Sequence, residues 1–192
     1  MSTWKIDPAH TDVLFSAKHM MVTTVRGKFH EVAGTLEIDE QEPARSSGEL
    51  RIAVASLNTG VAPRDSHLRS ADFFDAESHP WITFRSTKAE HVRDDRYAVT
   101  GDLAIRGTTK PVTFDVELGG IATGMQGGRH LGLSASTKID REGWGLDWNM
   151  ALEAGGWLVG KEIKVEIEVA ADEVTAPVEA TVPQRATAGA AS

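Results

Sequence analysis

The sequence of 192 residues contains no cysteine, only one tyrosine and no apolar run as long as a membrane span. Without cysteine, the chain cannot form a disulfide, an iron–sulfur cluster or a thiolate metal site. Basic residues are also scarce, since 20 Lys and Arg face 28 Asp and Glu, which gives a net charge of −8. Proteins that bind DNA or RNA need a basic surface for the phosphate backbone. The composition therefore predicts that nucleic acid is not a partner.

The N-terminus, MSTWKIDPAH, has neither the basic nor the apolar stretch of a secretory signal peptide. The sequence therefore predicts a soluble, cytoplasmic protein without an integral membrane segment. A hydrophobic content of 41% is enough for one domain with a sizeable core. We predict a barrel domain over residues 1–172 and a disordered Ala/Pro/Thr-rich tail over 173–192, where periodicity is absent.

Most of the chain alternates apolar and polar residues with the period of two that is typical of half-buried strands. About eight such segments occur, without the spacing of βαβ units, so the sheet is predicted to be antiparallel. A sandwich or a closed barrel would satisfy this pattern. Long strands, with bends expected at Gly27 and Gly34, favour an eight-stranded barrel. The glycine-rich stretch 119–128 is expected to be a loop, and no helix follows it as a dinucleotide-binding motif would require.

Residues 63–80 interrupt the strand pattern with a short helical pattern. Pro63 suits a first helical position, and His79-Pro80 ends the segment. The segment predicts a short helical plug between strands, over one end of the barrel. Arg64 and Asp65 are predicted to form an internal ion pair that braces the plug, with contacts to a ligand head group as the alternative.

Several motifs resemble the YceI-like family of isoprenoid-binding proteins. They are WKIDPAHTDVLFSAKHM, VRGKFHEVAGTLEID, SLNTG, RDSHLRSADFFDAESHPWITFRST, GDLAIRGTTKPVTFDV and IDREGWG, in this order between Trp4 and about Ala170. The resemblance implies an extended lipocalin-like antiparallel barrel. It also implies a long central pocket for a polyisoprenoid chain, a prenylated quinone-type molecule or a related long-chain amphiphile.

An eight-stranded barrel is either filled by its own side chains or holds one small ligand. Alternation alone favours the filled core, whereas the resemblance favours a pocket. The candidate pocket wall consists of the inward-facing residues Phe15, Ala17, Leu36, Ile38, Leu50, Ile52, Val54, Ile82, Phe84, Leu103, Ile105 and Phe114. Leu68, Phe73 and Phe74 are candidates for a lid, and Trp144, Trp148 and Trp157 for the entrance, with ordinary hydrophobic capping of the barrel end as the alternative.

Polar chemistry has little support in the sequence. The seven histidines lack His-x-His and His-x3-His spacing, so no metal site is predicted. His19 has the same parity as Phe15 and could meet a ligand head group, although a hydrogen-bonded histidine at a strand end is favoured. Asp65-Ser66-His67 is adjacent only in sequence, and no Gly-x-Ser-x-Gly elbow occurs. We therefore predict a protein that is not an enzyme.

Three hypotheses follow. The first is non-enzymatic binding, storage or transport of a long-chain isoprenoid lipid, with no cofactor other than a bound polyisoprenoid or isoprenoid quinone as ligand. The second is an enzyme of isoprenoid or small-molecule metabolism that uses His19 with Arg64 or Asp65. The third is an interaction module, such as a homodimer formed through outward residues like Trp81.

Overall fold

The structure, a computed structural model, describes residues 1–125, 127–153 and 155–175. In that part of the chain, eleven β-strands form one antiparallel sheet that closes on itself, with one α-helix. The strands are β1 (Ser2–Ile6), β2 (Asp12–His19), β3 (Thr23–Phe29), β4 (Val32–Ile38), β5 (Ser47–Ala53), β6 (Leu57–Asn58), β7 (Trp81–Arg93), β8 (Arg96–Ile105), β9 (Thr108–Thr123), β10 (Arg129–Asp140) and β11 (Val159–Glu173), and the helix is α1 (Ala62–Arg69).

Eight of these strands make a closed ring in the order β1, β4, β5, β7, β8, β9, β10, β11 and back to β1. The other three extend the wall at one end, where β2 pairs with β11, β3 with β2, and β6 with β3. β1 and β2 thus lie along β11 as one interrupted strand, and β3 and β4 form a second. The predicted all-β, antiparallel, eight-stranded lipocalin-like barrel with one short helix is confirmed.

The seam along β11 contains a break, because residues 7–10 turn away from the sheet between β1 and β2. Pro8 has no N–H for a ladder bond, and the Asp7 carboxylate accepts from the backbone N–H of Ala9 at 2.9 Å. The carbonyl oxygen of Ala170 still accepts from the N–H of Asp7 at 2.8 Å, and the buried Thr11 supplies the partner for the N–H of Ala170. Its hydroxyl accepts from the N–H of Ala170 at 3.1 Å and donates to the carbonyl oxygen of the same residue at 3.2 Å. The break therefore leaves these backbone groups of β11 hydrogen-bonded.

Several glycines of the wall, Gly27 and Gly101 among them, mark close contacts rather than the bends expected from the sequence. Gly27 and Gly34 both lie in regular strand pairings, and the long strand breaks instead at residues 30–31. A methyl group on Gly27 would overlap the ring of Phe15, its cross-strand partner. Gly101 likewise leaves space for the ring of Phe84. Because glycine has no side chain, these positions leave room for aromatic rings on the neighbouring strands.

Two further sequence expectations differ from the structure. Residues 119–123 belong to β9 rather than to a loop, because Gly120 lies opposite Gly132 in β10 and the two glycines extend the pairing. β1 was not predicted, since its five residues offer only two buried positions, Trp4 and Ile6. So short a pattern becomes a strand through its pairing with β4 and β11.

The plug begins with α1, which has Pro63 in its first turn. Arg64 and Asp65 do not form the predicted ion pair, because both side chains bond to Thr59. The buried Asp65 carboxylate accepts from the backbone N–H of Thr59 at 2.8 Å and from its hydroxyl at 2.5 Å. The guanidinium of Arg64 donates to the Thr59 hydroxyl at 2.7 Å and to its carbonyl oxygen at 2.9 Å. Thr59 thus holds the start of the plug against the end of β6.

The plug lies where the sheet has an edge. β6 pairs only with β3 among the described strands, so its other side has no strand partner. The guanidinium of Arg69, at the end of α1, donates to the carbonyl oxygen of Leu57 in β6. A side chain therefore satisfies an edge carbonyl that a further strand would otherwise engage.

The C-terminal part of the chain is described only to residue 175, and β11 continues to Glu173, opposite Trp4. The rest of the predicted tail, residues 176–192, lies outside the described residues. Across the described ranges, no helix has both the length and the apolar character needed to cross a membrane.

We expect Gly101→Ala to destabilise the barrel by about 1–3 kcal/mol, as overpacking of a core typically does. The added methyl would meet the ring of Phe84 at 2.5 Å and the carbonyl oxygen of Arg85, and the latter cannot rotate away. Gly132→Ala is the matched control, because nothing lies within 4 Å of the added methyl, and its effect should stay within about 0.5 kcal/mol. Urea-induced unfolding measures the free energy of unfolding of both variants. Equal midpoints for the two variants would contradict the proposed close contact.

Candidate ligand-binding cavity

A cavity of about 670 Å³ runs through the interior of the barrel. At the end where α1 lies, called the helix end, it is bordered by His19 and Val159. At the opposite end, called the far end, it is bordered by Ser47 and Gly120. The residues on its border come from both ends of the strands, so the cavity is elongated along the barrel. Between its ends the wall consists of the inward, apolar positions of the strands.

Sixteen of the eighteen candidate site residues border this cavity, namely Phe15, Ala17, His19, Leu36, Ile38, Leu50, Ile52, Leu68, Phe73, Phe74, Ile82, Phe84, Leu103, Ile105, Phe114 and Trp148. The two others, Val54 and Trp144, do not. Val54 lies in the turn after β5, where its N–H donates to the carbonyl oxygen of Pro80 at 2.9 Å and its side chain is fully buried. The indole N–H of Trp144 donates to the carbonyl oxygen of Leu103 at 3.1 Å, which holds the ring in the protein core. Trp157 does not border the cavity and is half exposed.

The cavity-facing residues of two adjacent strands, β10 and β11, were missed as site residues. Leu131, Leu133, Ala135 and Ile139 of β10, together with Ile163, Val165, Ile167 and Val169 of β11, all border the cavity. The sequence pattern could have identified those of β11, because its inward positions alternate with charged residues over residues 163–169. Arg141 and His67 also border the cavity, but their positions depend on tertiary contacts that alternation does not reveal.

Aromatic rings close the helix end. The ring centroid of Trp148 lies 5.4 Å from that of Phe73 and 4.5 Å from that of His67. Phe74 packs edge-on against Phe29 in β3 at 6.0 Å, which joins the plug to the barrel wall. The plug and the segment that follows β10 thus meet through ring contacts. Leu68, Phe73 and Phe74 lie where the proposed lid was placed, and their role as a lid remains a prediction.

Arg141 is a buried cation at the same end, with only 4% of its surface exposed. Its guanidinium donates to carbonyl oxygens, namely those of Gly160 at 3.0 Å, Trp148 at 3.1 Å, Val159 at 3.4 Å and Leu146. These bonds tie residues 146–148 to the start of β11. Burial lowers the pKa of Arg141, because the charged form loses hydration, and nearby acidic residues such as Glu142 only partly offset this effect.

Of the acid–base groups considered from the sequence, His19 and Arg64 border the cavity and Asp65 does not. Asp65 does not border the cavity and bonds Thr59, whereas Nε2 of His67 lies 2.9 Å from the Asp72 carboxylate. Asp65-Ser66-His67 is therefore not a triad. His19 is the last residue of β2 and borders the cavity. This position agrees both with a contact to a ligand head group and with a histidine at a strand end. Within the described ranges, no cluster of three or more metal-ligating side chains occurs.

Trp81 lies on the outer surface, 42% exposed, with the guanidinium of Arg51 at 4.2 Å from its ring centroid. The ring is thus partly covered by its own chain. The homodimer hypothesis based on this residue remains a prediction.

A closed antiparallel barrel with a plugged end and an elongated apolar cavity defines a lipocalin-like barrel. Within that class, the sequence matches the model of the YceI-like domain over residues 4–171, so the chain belongs to the YceI-like family. The UPF0312 protein SA2479 of Staphylococcus aureus (strain N315) is 36% identical over 167 residues, which cover 86% of this chain and 95% of that relative.

Solved structures share the fold. BcnA of Burkholderia cenocepacia superposes with a TM-score of 0.75 at 23% identity, covering 86% of this chain and 98% of BcnA. A polyisoprenoid binding domain from Saccharophagus degradans, implicated in plant cell wall breakdown, gives a TM-score of 0.69 at 13% identity. That comparison covers 91% of this chain and 100% of the domain. At these identities the likeness concerns the fold alone.

We expect Asp65→Ala to cost about 1–3 kcal/mol of stability, because the half-buried N–H and hydroxyl of Thr59 lose their acceptor. Asp65→Asn keeps an acceptor oxygen and should cost clearly less. Ser66→Ala, an exposed neighbour on the same helix, is the control and should be nearly neutral. Urea midpoints measure all three variants. If Asn were as costly as Ala, the carboxylate charge rather than its acceptor oxygen would hold the plug.

Proposed function

We propose that this protein binds a long-chain isoprenoid lipid, of the polyprenyl or prenylated-quinone type, in the barrel interior, and that it stores or transports that lipid. The observation that carries the proposal is the elongated cavity with apolar walls along the barrel. An apolar chain without hydrogen-bonding groups is the ligand that such a wall accommodates without leaving polar groups unpaired. The description of the Saccharophagus degradans domain as polyisoprenoid-binding supports the same ligand class.

The size of the cavity supports this ligand class. Its volume of about 670 Å³ lies within the range of about 300–1,000 Å³ that is common for small-molecule pockets. A tail that buries roughly 25 heavy atoms gains about 7–8 kcal/mol at about 0.3 kcal/mol per atom. This corresponds to a Kd in the low micromolar range, which suits a carrier that must also release its lipid.

We further propose that binding occurs without catalysis. An enzyme needs an acid and a base that converge on the reacting atoms. The sequence offered His19 with Arg64 or Asp65. The Asp65 carboxylate bonds Thr59 and does not border the cavity, and Arg64, which does, carries a guanidinium that does not lose its proton. His19→Ala should therefore leave any conversion of added prenyl lipids unchanged at background level.

The direct test is mass spectrometry of the lipids extracted from the purified full-length protein, followed by titration with geranylgeraniol. We expect an isoprenoid in the extract and micromolar binding of the added alcohol, observed through quenching of tryptophan fluorescence. Trp148, which borders the cavity, is the expected reporter. Failure to recover or bind any prenyl lipid would contradict the proposal.

A variant that fills the cavity should show whether the ligand binds in the interior of the barrel or on its outer surface. Ala135 of β10 borders the cavity, so Ala135→Trp places an indole where the chain would lie, and it should weaken geranylgeraniol binding by about tenfold or more. Ser134→Trp adds the same group at the adjacent position, which does not border the cavity, and should bind like the unmodified protein. Circular dichroism checks that both variants fold. Equal binding by the two variants would place the ligand elsewhere.

A further inference from the structure

Two neighbouring turns at the helix end present large apolar side chains to solvent. Met20, Met21 and Val22, which join β2 to β3, are 47%, 59% and 77% exposed. Met150 and Trp157, in the segment between β10 and β11, are 54% and 50% exposed. These five residues are called the turn patch. Apolar side chains that lie together on a surface are typical of sites that bind a partner or a membrane.

The two turns are held side by side. The N–H of Met20 donates to the carbonyl oxygen of Leu158 at 2.8 Å, and the N–H of Leu158 donates to the carbonyl oxygen of Met150 at 2.9 Å. The side chain of Met21 lies against Gly156, where an added methyl group would be 3.7 Å from its Cγ. Leu158 also borders the cavity, so the turn patch adjoins the helix end of the cavity.

The backbone of the first turn does not favour the residues that occupy it. Met20 and Met21 have φ angles of 50° and 62°, in the left-handed region that is unfavourable for residues with a large side chain. Hairpin turns with positive φ favour asparagine and glycine. Both the backbone and the hydrophobic effect thus disfavour exposed methionines here in the free protein. Such an arrangement indicates a role in binding.

The hairpin that carries the first turn is basic. Residues 13–30 contain no Asp or Glu, although the chain has a net charge of −8. Lys18 and Arg26 are exposed on this hairpin and form no salt bridge within the described part of the chain. The exposed carboxylates of Asp147 and Glu153 belong to the neighbouring segment. The β2–β3 hairpin therefore combines an apolar tip with a basic stem, which is complementary to acyl chains that lie beneath anionic head groups.

We propose that the turn patch docks this protein on the surface of a bilayer that contains anionic phospholipids. The tip of the β2–β3 hairpin lies among the upper parts of the acyl chains, and Lys18 and Arg26 reach the head groups through their long side chains. A second copy of the chain fits less well, because a symmetric contact would bring the basic stems of the two copies together.

The inference rests on the proposed function for its purpose. Docking through the turn patch places the helix end of the cavity at the membrane. A protein that binds an isoprenoid lipid would there be next to the bilayer that holds such lipids.

The experiment is flotation of the full-length protein with vesicles of phosphatidylcholine, with and without phosphatidylglycerol, at physiological ionic strength. We expect the protein to float with the vesicles that contain phosphatidylglycerol and to bind them more weakly as salt is added, because salt screens the attraction between exposed charges. Flotation with neither kind of vesicle would overturn the proposed docking.

Met20→Asn/Met21→Gly tests the apolar tip. It should weaken vesicle binding by about tenfold or more, since two apolar side chains no longer leave water. It should not lower the urea midpoint, because asparagine and glycine suit positive φ. Val92→Asn/Met125→Asn is the matched control, because it removes two exposed apolar side chains from turns at the far end. Equal flotation of the two double variants would overturn the turn patch as the docking site.

Lys18→Gln/Arg26→Gln tests the basic stem. It should reduce the preference for phosphatidylglycerol by about fivefold for each charge removed. Lys5→Gln/Arg85→Gln removes the same charge from exposed positions on other strands and should retain the preference. Glu153→Gln removes a carboxylate next to the patch and should strengthen binding to the anionic vesicles. An equal loss in the two double variants would show general charge attraction and contradict a docking site at the hairpin.

A titration with geranylgeraniol in the absence of vesicles distinguishes docking from the proposed function. We expect Met20→Asn/Met21→Gly to bind this alcohol like the unmodified protein. If the alcohol binds but no vesicle does, the docking is overturned and the proposed function stands. If vesicles bind but the alcohol does not, the docking stands and the proposed function fails. Light scattering completes the test, because a dimer that this variant dissociates, without flotation, would assign the patch to a second copy and overturn the bilayer as its partner.

Discussion

The closure of the sheet along β11 is the constraint on which the rest of the structure depends. β11 pairs with β10 on one side and with both β1 and β2 on the other. Thr11 bridges the break between those two short strands by bonding both backbone groups of Ala170. Because the ring is closed, each of its strands has an inner and an outer face, and the two-residue alternation of the sequence becomes a division between cavity wall and solvent.

The helix end of the barrel is stabilised in a different way from the ring of strands. Here side chains replace the backbone ladder, since Asp65 and Arg64 bond Thr59, and Arg69 bonds the edge carbonyl of Leu57. Arg141 holds the segment after β10 through carbonyl oxygens. Side-chain hydrogen bonds, rather than strand pairing, thus hold both segments that close this end of the barrel.

Much of the wall was predictable, because alternation in segments such as 12–18 and 161–170 is a local signal that the barrel preserves. The family motifs predicted the barrel and the plug. Alternation could not show that Val54 leaves the wall, or that Thr59 rather than a direct ion pair joins Arg64 and Asp65. These arrangements depend on contacts between segments that only the folded chain brings together. The cytoplasmic location, the absence of nucleic-acid partners and the homodimer remain predictions of the sequence.

The unpaired edge of β6 has a consequence for how a guest could exchange. Separating two strands of the ring would break a ladder of backbone hydrogen bonds, whereas moving the plug away from β6 breaks side-chain hydrogen bonds and ring contacts but no strand pairing. Regions held in this way open at a smaller free-energy cost than the rest of a domain. A displacement of the plug would therefore leave the pairings of the eight-stranded ring intact.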